Sequence, residues 1–160
     1  MQTVLNAPEH VLDIMYDVAD TEIIPLFQKL KKSDISEKKP GDLVTIADRA
    51  SEAAFRVHLP KHPRGSVVLG EEGYEEDHNS LKLIDGSEPV WIVDPVDGTH
   101  NFAHGKQPFT VIIALVQDSE TQAGWIIDPI RRDSVWAIRG EGAWYRSENN
   151  DTSRIARASK

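Results

Sequence analysis

The stretch Trp91-Ile92-Val93-Asp94-Pro95-Val96-Asp97-Gly98-Thr99-His100-Asn101-Phe102 sets the first chemical constraint on this chain. An apolar run ends in two aspartates three positions apart, with Pro95 fixing the bend between them and Gly98-Thr99 opening a helix. Such a bend aims both carboxylates at one point. Unpaired, they would repel, and a hard divalent cation with oxygen ligands is the simplest partner to relieve that. A helix starting near Gly98 adds free backbone N–H groups and a partial positive charge, which suits a phosphate group. An Asx-turn with no ion remains an alternative on this stretch alone.

Two further acid positions accompany it. Gly70-Glu71-Glu72 also follows an apolar run, and Asp48 follows Gly41-Asp42-Leu43-Val44-Thr45. Each by itself reads as a solvated loop or a helix start; their combination is what points to a metal site. The chain has no cysteine, which excludes disulfides, thiolate ligands and cysteine nucleophiles, so a metal must be held by oxygen or histidine. The net charge of −8 argues against a nucleic-acid groove, which needs a basic stripe. It does not exclude a phosphate ester, because bound divalent cations reverse the local sign. The longest apolar run, Val111 to Val116, is too short to span a bilayer, and the N-terminus lacks the pattern of a signal peptide, so a soluble cytoplasmic protein is predicted.

The elements that must position these acids follow from periodicity. From Glu9 to about Lys32, apolar residues at helical spacing (Val11, Leu12, Met15, Val18, Ala19, Ile23, Leu26, Phe27, Leu30) predict a long amphipathic helix, kinked or divided at Pro25. Lys31 to Asp42 is polar and ends in a Pro40-Gly41 turn. A second helix is predicted from about Thr45 to Leu59, burying Ala47, Ala50, Ala54 and Val57. Beyond Gly65 the pattern turns to strands: Ser66 to Leu69, Val90 to Val93, Phe109 to Gln117, Gln122 to Ile127, Asp133 to Ile138 and Ala143 to Arg146. Composition, with 39% apolar and 28% charged residues over 160 positions, fits one globular domain. The prediction is an α+β layered fold, two N-terminal helices on a mainly antiparallel sheet, with Asn149 to Lys160 a polar tail.

Asp42-Leu43-Val44-Thr45 with Asp48, then Gly70-Glu71-Glu72, then Trp91 to Phe102, in this order and spacing, resemble the inositol monophosphatase family of metal-dependent sugar phosphatases. The resemblance runs from the first helix to Gly140-Glu141-Gly142-Ala143. It implies the N-terminal half of an α-β-α-β-α fold, with residues 1–148 as a metal-binding domain, 149–160 as tail or truncated linker, and the family's C-terminal domain absent. It implies that Glu71, Asp94 and the Val96 carbonyl hold one Mg²⁺ and that Asp94 and Asp97 hold a second. Two or three ions make up the family's complete site, with Mn²⁺ as a substitute. Gly98 and Thr99 would give N–H groups to the phosphate, Asp97 would lie beside it, and Asp48 with Thr99, near Glu71, would orient the attacking water. Two ions roughly 4 Å apart suit such an in-line displacement. The implied partners are a small phosphorylated substrate and a second copy in a homodimer, with no membrane. A further aspartate in a downstream tryptophan-aspartate motif of the family does not occur in this sequence. That predicts a truncated chain, impaired in catalysis or reduced to a metal-binding or dimerising remnant.

Other residues attract weaker readings. His58, His62, His78, His100 and His104 read mainly as surface residues, although His100 adjoins Thr99 and is a candidate substrate contact. Lys38 or Lys39 is a candidate phosphate contact. Trp125, Trp136 and Trp144 read as sheet residues, Asp128-Pro129 as a turn, and Lys29 to Lys32 as a solvated helix end. Histidinol phosphate, fructose 1,6-bisphosphate and 3′-phosphoadenosine phosphate stay open as substrates beside inositol phosphate.

Overall fold

A computed structural model describes Leu5, residues 7–76 and residues 78–155. Its architecture is a seven-stranded sheet, mainly antiparallel, with helices packed on one face. The sheet order follows the chain: β3 (Val67–Gly70), β4 (Val90–Asp97), β5 (Thr110–Gln117), β6 (Glu120–Asp128), β7 (Asp133–Ile138), β8 (Gly142–Arg146) and β9 (Thr152–Ile155). Only β3 and β4 run parallel. A separate hairpin, β1 (Ile35–Lys39) and β2 (Asp42–Thr45), leads into the second helix.

Alternation drives the sheet. Val111, Ile113 and Leu115 of β5 are buried, as are Ala123, Trp125 and Ile127 of β6, while the residues between them, Ile112, Ala114, Gly124 and Ile126, face away from the helices. These residues share one core with Val11, Leu12 and Met15 of helix α1 (Glu9–Val18) and Phe55 of helix α2 (Ile46–His58). Trp91 and Trp125 pack with their rings tilted by 46° at a centroid distance of 5.7 Å, and their indole N–H groups donate to Ser66 Oγ at 3.1 Å and Pro8 O at 3.0 Å. Both buried rings therefore have their polar edge satisfied. Among the described residues no helix is long and apolar enough to cross a membrane.

Several predicted boundaries shift. The first helix does not reach Lys32: α1 gives way to a π turn at Ala19–Ile23 and a 3₁₀ turn at Ile24–Leu26. Pro25 has no N–H to continue the ladder, and Gln28 then takes a left-handed conformation, φ 60°. On α2 Val57 is 61% exposed rather than buried; the inward stripe is Ala47, Asp48, Ser51, Glu52 and Phe55. Polar residues occupy it, so hydrophobic periodicity could not find it. Within Lys31 to Asp42, read as a polar segment ending in a turn, Ile35–Lys39 is a strand that pairs with Asp42–Thr45 to form the β1–β2 hairpin. Of the tail, Thr152–Ile155 is an edge strand rather than a fraying end, while residues 156–160 lie outside the described residues.

Candidate metal and phosphate site

The site begins with register. β3 and β4 pair in parallel with Gly70 opposite Val93, so the next residues, Glu71 and Asp94, leave adjacent strands at the same level. Glu71 opens the short helix α3 (Glu71–Glu76). Asp94 starts an irregularity in β4: between Asp94 and Asp97 the pairing with β5 advances one residue fewer than the chain does. Pro95 has no N–H for the ladder, and the extra residue re-aims the strand end. Asp97 then faces Thr110, whose hydroxyl donates to Asp97 Oδ2 at 3.3 Å. Gly98 follows at φ +94°, where a Cβ would lie 3.2 Å from Pro108 O, and it caps helix α4 (Thr99–Ala103).

Asp48 arrives from the other side of the fold and is only 2% exposed. Its Oδ2 accepts the Thr45 N–H at 2.8 Å and the Thr45 hydroxyl at 2.6 Å, while Thr45 Oγ1 accepts the Ala47 N–H at 3.1 Å. One carboxylate oxygen thus completes the start of α2. The other, Oδ1, lies 3.2 Å from Thr99 Oγ1, which is also 2.9 Å from the Val96 carbonyl. Thr99 has one hydroxyl proton for these two acceptors. Burial raises the Asp48 pKa above the ordinary value, against the hydrogen bonds from Thr45 and Thr99.

Asp94 carries the strongest electrostatic signal. Its pKa is pushed up to about 7, first by burial and then by the negative charges of Glu71 and Asp97, with a smaller push from Asp48. Its Oδ1 is buried and has no hydrogen-bond partner. A buried oxygen left without a partner among repelling carboxylates is the electrostatic complement of a hard cation. The residues present therefore fit a divalent ion at Asp94, with Glu71, Asp97 and the Val96 carbonyl as further oxygen donors. Among the described residues no three acid or histidine side chains are yet drawn closely enough to enclose one.

A lysine stands nearby instead. Lys38 Nζ lies 3.0 Å from Glu71 Oε1 and 2.9 Å from Glu72 Oε1, with Asp42 Oδ1 at 3.9 Å. Burial would lower the Lys38 pKa, but hydrogen bonds to Glu72 and Glu71 outweigh it and raise the value. Burial raises the Glu72 pKa despite Lys38. His100, the other candidate contact, is exposed and stacks on His104 at 4.4 Å between ring centroids.

One residue of the site escaped the sequence reading. Glu52, one turn beyond Asp48, is buried and accepts the N–H groups of Glu72 at 2.9 Å and Gly73 at 3.1 Å, and Arg56 Nη2 at 2.7 Å. It fastens the start of α3, and so Glu71, to α2. A Cβ at Gly70 would run into the Glu52 carboxyl group, and one at Gly73 into the Arg56 guanidinium. The available signal was an acid four residues after Asp48 on one helix face, together with two glycines flanking the Glu-Glu pair.

The sequence profile of the inositol monophosphatase family matches residues 6–160. An inositol-1-monophosphatase of Rhizobium meliloti is 37% identical over 118 residues, covering 74% of this chain and 42% of the relative. The Nus factor SuhB of Pseudomonas aeruginosa is 34% identical over 125 residues, covering 74% of this chain and 43% of the relative. The chain thus spans less than half the length of these curated relatives. The solved structure of an IMPase from Thermotoga maritima superposes with a TM-score of 0.70 at 26% identity, covering 90% of this chain and 55% of the other. Profile, relatives and fold agree with one another: this chain belongs to the inositol monophosphatase family.

Proposed function

We propose that this chain supplies the metal and phosphate half of a Mg²⁺-dependent phosphomonoesterase acting on inositol monophosphate or a similar small phosphate ester. The observation that carries the reading is the unpartnered, buried Asp94 oxygen among the charges of Glu71, Asp97 and Asp48. Glu71, Asp94 and the Val96 carbonyl would hold one ion, and Asp94 with Asp97 a second. Bound there, divalent ions would neutralise the phosphate and acidify the attacking water.

The chain's own groups manage the proton. Thr99 Oγ1 accepts a hydrogen bond from the water and passes its own proton toward Asp48 Oδ1, 3.2 Å away. Val96 O competes for that proton at 2.9 Å, so a Val96 carbonyl engaged as a ligand leaves the Thr99 hydroxyl to Asp48. The water oxygen bonds to phosphorus as the P–O ester bond breaks, the water's proton rests on Asp48, whose affinity for it burial has raised, and the departing alkoxide takes a proton from solvent water to leave as the alcohol. Backbone N–H groups of Gly98 and Thr99 would face the phosphate. Glu52 and Thr45 hold the acids in place.

The test is Mg²⁺-dependent release of phosphate from inositol 1-phosphate, abolished by Asp94→Asn. Equal turnover in chelator would rule the reading out. Histidinol phosphate, fructose 1,6-bisphosphate and 3′-phosphoadenosine phosphate belong in the same assay. A homodimer in the cytoplasm, with Mn²⁺ able to replace Mg²⁺, completes the reading; sedimentation checks the dimer.

The alternative reading is a non-catalytic metal-binding or dimerising chain. Calorimetry separates the two. One weak Mn²⁺ site without turnover supports the second reading, and two sites with turnover support the first.

A further inference from the structure

Glu71 is the only metal-ligand candidate engaged by a lysine in the described contacts, and that lysine is unusually placed. In the β1–β2 hairpin Glu37 pairs with Leu43 and Lys39 with Asp42, so Lys38 is the extra residue of a β-bulge. A bulge turns a side chain out of the strand's ordinary alternation. Here it sends Lys38 inward, its side chain 13% exposed, to both Glu71 and Glu72.

We propose that Lys38 is a tethered internal cation that guards the metal site, so that an entering ion must displace it from Glu71 and only a divalent ion does so effectively. This rests on the metal-binding reading above. The tether keeps the ammonium at high effective concentration beside Glu71, whereas an ion from solution must be concentrated from bulk. A monovalent ion exchanging with Lys38 adds no net attraction and loses that advantage. A divalent ion brings twice the charge to Glu71, Asp94 and Asp97 together, and each such pairing is worth more in a half-buried site than in water.

The contacts set the order of events. Lys38 reaches Glu71 and Glu72, and the Asp94 Oδ1 oxygen has no partner. An ion therefore meets the unsatisfied Asp94 first and takes Glu71 from Lys38 second. Glu72, outside the ligand set, is 2.9 Å from Nζ and retains the released ammonium at the rim. The hairpin then loses one of the two described contacts of Lys38 with α3.

The experiment is Mn²⁺ calorimetry on the wild-type chain, Lys38→Met, Lys38→Gln and the charge-keeping Lys38→Arg. Lys82→Met controls for the same change in net charge at an exposed position, where the described ion pairs include none to these acids. Lys38→Met and Lys38→Gln should bind Mn²⁺ about tenfold more tightly, the loss of one close opposing charge. Lys38→Arg and Lys82→Met should stay within about twofold of wild type. At fixed ionic strength, replacing choline by sodium should weaken Mn²⁺ binding in Lys38→Met and leave wild type unchanged. Hydrogen exchange of residues 35–45 should rise on adding Mn²⁺ to wild type and should already be high in Lys38→Met. Should Lys38→Met fail to fold, Lys38→Gln gives the same reading.

Wild-type affinity in both neutral variants, with wild-type binding intact and lost in Asp94→Asn, overturns the guard role while the metal reading stands. Mn²⁺ binding that Asp94→Asn leaves unchanged overturns both.

Discussion

Asp48 Oδ1 and Thr99 Oγ1 meet at 3.2 Å across 51 positions of sequence, joining the start of α2 to the start of α4. Asp48 thereby belongs to two structures at once: its Oδ2 caps a helix and its Oδ1 faces the candidate site. Thr99 can be altered without disturbing the cap. Thr99→Val should lower phosphate release by roughly 10²-fold or more, while Mn²⁺ affinity by calorimetry stays near wild type. Thr99→Ser should restore most of the rate. A large loss of metal affinity in Thr99→Val would assign the hydroxyl to metal holding instead.

The raised pKa of Asp94 gives the metal-free chain an inverted pH response. The folded value is about 7 against an ordinary 3.8, so between these limits the folded state binds more protons than the unfolded state. Stability in chelator should therefore fall as pH rises from about 4 to 7. Asp48 and Glu72, also raised, push in the same direction. Urea midpoints at pH 5, 6, 7 and 8 measure the slope, and Asp94→Asn should flatten it. Mn²⁺ affinity should rise over the same range, with proton release, because the ion competes with that proton. A wild-type midpoint that climbs with pH in chelator would contradict the assignment.

Glu52 links stability to the site. Glu52→Ala removes three hydrogen bonds from a buried carboxylate and leaves the Glu72 and Gly73 amides without that acceptor. The expected loss is about 2–3 kcal/mol in urea unfolding. Because Glu71 starts the turn that Glu52 holds, Mn²⁺ affinity should weaken as well. Gly70→Ala should act in the same direction through the collision of its methyl group with Glu52. A variant with lowered stability and unchanged Mn²⁺ affinity would show that Glu71 is positioned independently of the Glu52 anchor.

Trp125 tests the core alone. Trp125→Ala opens a large cavity beside Trp91 and should cost about 3–5 kcal/mol. Trp125→Phe keeps most of the ring and loses the bond to Pro8 O, for about 1 kcal/mol. Calorimetric Mn²⁺ affinity of the folded fraction should be unchanged in both.

Strands β5 to β7 were legible because one face is buried and the period-two signal is clean, and the ends of β7 were read without error at Asp133 and Ile138. The acids at positions 71, 94 and 97 were legible because an apolar strand stopping at a carboxylate is an abrupt chemical change. What failed was the reading of polar segments that fold for long-range reasons. The β1–β2 hairpin is charged at Glu37, Lys38, Lys39 and Asp42 and lacks a period-two apolar face, and its worth lies in where it delivers Lys38 and Thr45. Glu52 and Ser51 sit on the inward face of α2 but look like solvent-facing residues to any hydrophobicity pattern. Their partners, the amides of α3 and the carbonyl of Ala47, are backbone groups with no signature of their own.

The pairing of Gly70 with Val93 fixes how such a protein can change over time. Side chains along β3 and β4 can be exchanged freely so long as they fill the core. Inserting or deleting one residue in either strand would slide one acid past the other by about 3.3 Å and turn it to the opposite face of the sheet. The excursion between the strands, over residues 78–88, is under no such constraint, so variation in length should collect there and spare the two strands on either side.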